Sequence, residues 1–125
     1  MTTRSIRVVV ITSPDQLDQE WMNRLEREAD IESIDRVGGV AAGMALAQQN
    51  RPDVVIVDRD TEQAELAIRQ IFTQIPTTLC IAIAASPDVA TLRRLVTAGA
   101  RDVIGRPVNY GDLIASIRAI IGAER

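Results

Sequence analysis

"RPDVVIVDRD", residues 51–60, is the stretch on which the fold of this chain turns. Val54 to Val57 are four consecutive β-branched apolar residues with no polar alternation. A strand with one wet face would alternate, whereas a strand in a parallel sheet flanked by helices buries both faces and need not. Pro52 precedes the run and Asp58 ends it, so a buried strand surfaces on a carboxylate. Asp58 then has two readings: a solvated residue where the strand emerges, or a phosphate acceptor or metal ligand at the carboxyl edge of the sheet.

Working outward, "IRVVVI" (6–11) and "LCIAIA" (79–84) are runs of the same kind. "IESIDRV" (31–37) alternates more and "RDVIG" (101–105) is short, which places both nearer a sheet edge. Helical stretches lie between. "SPDQLDQEWMNRLEREA" opens with Ser13 as N-cap, Pro14 at the first helical position and Gln16 completing a capping box. Leu17, Trp21 and Leu25 then share one stripe. The opening recurs at residues 86–100, where Ser86 caps, Pro87 starts and Gly99 stops the helix. "VAAGMALAQQN" (40–50) forms the second helix, and "TEQAELAIRQIF" (61–72) buries Leu66 or Ala67, Ile68 and Ile71. The last helix starts after a capping Asn109 and packs Leu113, Ile117 and Ile120 or Ile121. Strand and helix alternate five times with short connections. Right-handed crossovers make this an α/β protein with a doubly wound five-stranded parallel sheet.

Residues 1–125 are expected to form one domain, long enough for a core without staples. The core must be aliphatic, because Trp21, Phe72 and Tyr110 are the only aromatics. So few rings cannot build a base-stacking surface, and a net charge of -3 without a basic stripe argues against direct nucleic-acid binding. All 14 basic residues are Arg. Histidine is absent and Cys80 is the only thiol, which excludes His acid/base chemistry, Cys/His zinc sites and disulfides. Cys80 reads as a small buried hydrophobe. With no signal peptide or membrane-length apolar run, the expected compartment is cytoplasmic and no membrane partner is expected.

"RPDVVIVDRD", "TAGARDVIGRPV" and "GMALAQQNRPD" together resemble the receiver domains of two-component response regulators, over nearly the whole chain. The resemblance implies a (βα)5 flavodoxin-like fold with strand order 2-1-3-4-5. It implies a phosphorelay role in which Asp58 holds the phosphoacceptor position. Receivers also use an acidic pair after strand one for Mg2+, a hydroxyl at the end of strand four, a Lys after strand five and an aromatic in strand five. Here these positions are Thr12 and Ser13, Ala84, Arg106 and Val103. Phosphoryl transfer relies on neutralising the equatorial oxygens, largely through the cation, and Mg2+ wants hard anionic oxygens. Each lost hydroxyl or lysine contact costs about 1.5–3 kcal/mol. The expectation is therefore a degenerate, pseudo-receiver domain: not an enzyme, without a cofactor, acting through protein interaction. A weaker resemblance is to receiver-like amino-terminal domains of ATPase-type pilus-assembly proteins. The alternative is a working phosphoacceptor that is phosphorylated on Asp58 with Mg2+, taking Asp60 or Asp15 as makeshift metal ligands.

Arg106 carries a sharper expectation: its guanidinium pairs directly with Asp58 and fills the space of metal and phosphate. Asp15 is well explained as a first-turn helix residue that complements the dipole, and the structural reading is favoured for it and for Asp60. In "VGGVAAG", Gly38, Gly39 and Gly43 suit a tight turn and a closely packed helix better than a phosphate loop. "ITSPDQ" lacks the glycine and repeated hydroxyls of a flavodoxin phosphate loop, so FMN is not expected. Leu92, Leu95, Val96, Val103, Val108 and Tyr110 are candidates for an interface, since receivers often dimerise or contact outputs through the fourth helix, fifth strand and fifth helix. Arg93 and Arg94 are read as the solvated side of that helix. The chain stops at "GAER", which fits either a stand-alone protein or a module whose partner is a fused effector domain.

Overall fold

A computed structural model describes residues 5–12, 19–61, 63–85 and 87–123. The elements in chain order are β1 (Ile6–Thr12), α1 (Gln19–Glu26), β2 (Ile31–Gly38), α2 (Val40–Asn50), β3 (Val54–Asp58), α3 (Ala64–Gln74), β4 (Leu79–Ala85), α4 (Val89–Ala98), β5 (Asp102–Arg106) and α5 (Tyr110–Ala123). All strand pairs are parallel, in the order β2-β1-β3-β4-β5. The unalternated run is the centre of the sheet, with all five residues of β3 buried. The alternating segment β2 and the short segment β5 are its two edges. This is the doubly wound parallel sheet expected from the segment pattern, in the flavodoxin-like strand order that the resemblance implies.

Strand periodicity divides the core in two. Val8, Val10, Ile56, Ile81 and Ile83 pack against Trp21 and Leu25 of α1 and Leu113 and Ile117 of α5. Their neighbours Val9, Ile11, Val55, Val57 and Cys80 pack against Met44 of α2, Ile68 and Ile71 of α3 and Leu95 of α4. Each fully buried Val, Leu or Ile contributes about 1.5–3 kcal/mol. Between Leu66 and Ala67 the structure chooses Ala67, and Ile120 and Ile121 are both buried. Burial pushes the Cys80 thiol up to about 12, in keeping with a packed hydrophobe. Among the described residues, no helix is long and apolar enough to cross a membrane.

The loops follow from local chemistry. Gly39 opens α2 at φ 94°, and a Cβ at buried Gly43 would collide with Ile11 Cδ1, so glycine lets α2 sit on β1. Gly99 ends α4 at φ 124°, its N–H donating to the carbonyls of Leu95 and Val96. Asn109 Oδ1 accepts the Asp112 N–H at 3.0 Å and caps α5. Two helix starts differ from expectation. The cap of α4 is Asp88, whose Oδ1 accepts the Thr91 N–H at 2.8 Å, and Pro87 precedes the helix. A carboxylate satisfies that donor and complements the helix dipole as well. Helix α3 begins at Ala64 and not at Thr61, whose N–H donates to the Asp58 carbonyl at 3.0 Å. Ser86 and the capping box of residues 13–16, with Leu17, lie outside the described residues.

A polar cluster ties α5 to the end of α1 and the start of β2. Arg118 donates to Asp30 through Nε at 2.9 Å and to Glu28 through Nη2 at 3.0 Å, and the Tyr110 hydroxyl donates to Glu28 at 2.6 Å. The Tyr110 and Arg118 hydrogen bonds hold the Glu28 carboxyl below its usual 4.5, and Arg118 does the same to Asp30 below 3.8. Burial, then Glu28, pushes the Tyr110 phenol up to about 12. Carboxylates depressed by folding stabilise above their unfolded values and lose that contribution as pH falls through the folded ones. The raised phenol stabilises below its ordinary value of 10 and loses its contribution as pH rises toward 12. Arg118→Ala is therefore expected to be less stable than the parent at neutral pH and to converge with it in acid. Denaturant midpoints across a pH series measure this, and parallel curves would contradict it.

Candidate functional site

Because the strands are parallel, their last residues gather at one edge: Thr12 of β1, Asp58 of β3, Ala84 and Ala85 of β4 and Arg106 of β5. In open α/β sheets this is where ligands bind. Strand β5 is two positions from β3, so a side chain from Arg106 must cross about 10 Å, twice the strand spacing, to reach Asp58. Arginine is long enough, and the end of β4 between them carries only alanines. Arg106 Nη2 lies 3.1 Å from Asp58 Oδ2, with the two side chains 16% and 3% exposed. The expected pair is present, with Asp58 buried and Arg106 half-buried.

The rest of the carboxylate is also engaged. Asp58 Oδ1 accepts the Asp60 N–H at 2.9 Å, and Oδ2 accepts the Thr12 hydroxyl at 3.4 Å. Val10, Ile56 and Ile83 form the walls, and Trp21 and Met22 of α1 close over the group. The space left is about 10 Å³, no more than one water needs. Of the acidic candidates, Asp60 instead carries Arg59 on Oδ1 at 3.5 Å and is 37% exposed. Ser13 and Asp15 lie outside the described residues.

The described residues alone do not fit a receiver-type Mg2+. That ion needs near-octahedral oxygen ligands at about 2.0–2.1 Å. Among the described residues the pocket offers one carboxylate, and its Oδ2 already faces a cation. Among the described residues, no group of three Asp, Glu, His or Cys side chains is placed to hold a metal. Ala84 is buried and brings no hydroxyl, and Val103 is half-buried against the α2–α4 side of the core. What this arrangement does chemically is hold a buried anion against a half-buried cation across three strands.

Trp21 is the site residue that sequence reasoning missed. Its helical stripe marks it as core, but the period does not reveal that it sits over the carboxyl ends of the strands. Its only signal is that it is the sole Trp in the chain. The interface candidates divide. Leu95 is fully buried and belongs to the core, which removes it from any contact surface. Leu92, Val103, Val108 and Tyr110 are half-buried, whereas Val89 and Val96 of α4 are exposed. Arg93 is exposed, and Arg94 reaches Glu65 of α3 at 2.8 Å.

No family model and no curated protein matches this sequence. Solved structures do match the fold. A two-component response regulator of the LuxR family from Aurantimonas sp. superposes with a TM-score of 0.85 at 16% identity, covering 95% of this chain and 86% of that one. A CheY-like response regulator receiver domain protein from Methanospirillum hungatei gives 0.83 at 16% identity, over 94% of each chain. The signal receiver domain of a DNA-binding response regulator from Colwellia psychrerythraea gives 0.82 at 19%, covering 94% of this chain and 98% of that one. At these identities the likeness is one of fold.

Proposed function

We propose that this chain is a receiver-like signalling domain, spanning residues 1–125, that acts through protein–protein contacts without Mg2+-dependent phosphorylation. The observation that carries this reading is the 3.1 Å pair between Arg106 and Asp58 in a pocket with about 10 Å³ to spare. An incoming phosphoryl group would have to expel a guanidinium from a buried carboxylate, and removing one partner of such a pair costs about 3–5 kcal/mol. The fixed surface is presented to a protein partner or to a fused effector, as the DNA-binding neighbour's name suggests. The exposed Val89 and Val96, with the half-buried Leu92 and Val103 beside them, make the α4–β5–α5 side the contact face, with a second copy as one occupant. On this reading the domain is not an enzyme and touches no nucleic acid itself.

Incubation with acetyl phosphate and Mg2+, read by intact mass, tests the proposal. The expected result is an unchanged mass. A hydroxylamine-labile phosphoryl adduct that disappears in Asp58→Asn would establish the alternative, a phosphoacceptor that uses the carboxylate at the end of β3.

A further inference from the structure

Outside the Arg106–Asp58 pair, an open cleft of about 290 Å³ lies between the start of α1 and the connection from β5 to α5. Its lining includes Trp21, Arg24, Arg106, Val108 and Tyr110, with Glu20 as the one carboxylate among the described residues. Two of the chain's three aromatic residues therefore meet two guanidiniums in one place. Trp, Tyr and Arg are the residues that dominate contact energies at interfaces. The site is also set in position. The Arg24 guanidinium lies 4.2 Å from the centroid of the Tyr110 ring, and the Tyr110 hydroxyl is held by Glu28 at 2.6 Å. Arg24 is exposed and has no carboxylate partner among the described residues. Trp21 Nε1 is buried with no hydrogen-bond partner among them either. Arg106 and Trp21 line both this cleft and the void beside Asp58, so they form the wall between the two.

We propose that this cleft receives an acidic side chain, Asp or Glu, from a protein partner, and that the incoming carboxylate competes with Asp58 for Arg106. A guanidinium presents a fork that matches a carboxylate, and Arg24 offers one with no carboxylate partner among the described residues. Val108 and Tyr110 supply apolar surface for the atoms on either side of the acid. The chain is acidic overall, at -3, so the attraction is local to the cleft and does not come from the whole molecule. This inference takes its interaction role from the proposed function, but the cleft does not depend on whether Asp58 accepts phosphate. Failure of one is thus separable from failure of the other.

Trp21, the only tryptophan, reports the outcome through its fluorescence and its single indole ¹H–¹⁵N resonance. The probe is acetyl-Leu-Glu-Asp-Leu-amide, titrated against its Gln/Asn counterpart. The acidic peptide is expected to give a saturable change and the neutral one none. Arg24→Ala should weaken binding roughly tenfold, the scale of one hydrogen bond to a charged group. Glu20→Gln should tighten it, which gives a change of opposite sign that misfolding does not produce. Asp58→Asn, which removes the competing carboxylate, should tighten it severalfold. Equal responses to both peptides, no saturation up to about millimolar peptide, or an unaltered affinity in Arg24→Ala would overturn the site. Unchanged affinity in Asp58→Asn would overturn the competition.

Discussion

Replacing Arg106 by leucine is expected to lower the unfolding free energy by about 3–5 kcal/mol, because a buried carboxylate then loses its countercharge. The Asp58 side chain is only 3% exposed, and its remaining partners are one backbone N–H and the Thr12 hydroxyl at 3.4 Å. Neither neutralises it. The reverse variant, Asp58→Leu, should cost less. Arg106 is 16% exposed and borders the outer cleft, so its guanidinium has water within reach. Combining Arg106→Leu with Asp58→Leu should recover most of the loss, since apolar replacement of a whole buried pair is commonly neutral or stabilising. Urea unfolding of the four proteins closes this double-mutant cycle. A loss of under about 1 kcal/mol for Arg106→Leu would mean that the pair is worth no more than a surface contact.

The second large effect is a gain. Thr12→Asp together with Arg106→Lys puts a second carboxylate beside Asp58 and removes the fork that occupies it. Without metal this variant should be less stable than the parent, as two carboxylates now face each other in a closed pocket. With Mg2+ it should recover, by about 2.7 kcal/mol when the ion is a hundredfold above its dissociation constant. The parent should show no such dependence. Thermal melts with and without Mg2+ compare the two, and a parent whose melting temperature also climbs saturably would refute the contrast. The logic is that the present pocket already contains its own cation, covalently attached through β5.

Much of this was legible in the chain because burial writes itself into residue periodicity. Val54–Val57 could only be a strand hidden on both faces, and β2 and β5 betray their edge positions by alternation and shortness. The glycines were equally readable: Gly43 is needed where α2 crosses Ile11. Sequence was poorer wherever neighbouring residues compete for one role. Ser86 and Asp88 both suit a helix cap, and only geometry shows Asp88 receiving the Thr91 N–H. Leu95 and Val96 are adjacent apolar residues on α4, yet a 100° step puts one at 0% exposure and the other at 58%. The Arg106–Asp58 pair was inferable because both residues end strands on one sheet edge. The closure by Trp21 was not, since it depends on how far along the strands α1 is set down. The contacts among Tyr110, Glu28 and Arg118 join residues some 82 and 90 positions apart, a separation no local pattern records.

The occupancy of Asp58 is the claim from which the rest follows, and a crystal grown with saturating Mg2+ and beryllofluoride examines it directly. The expected electron density shows Arg106 Nη2 still near 3.1 Å from Asp58 Oδ2, with neither ion nor fluoride beside the carboxylate. Density for a coordinated ion on Asp58, with Arg106 turned out toward solvent, would contradict it.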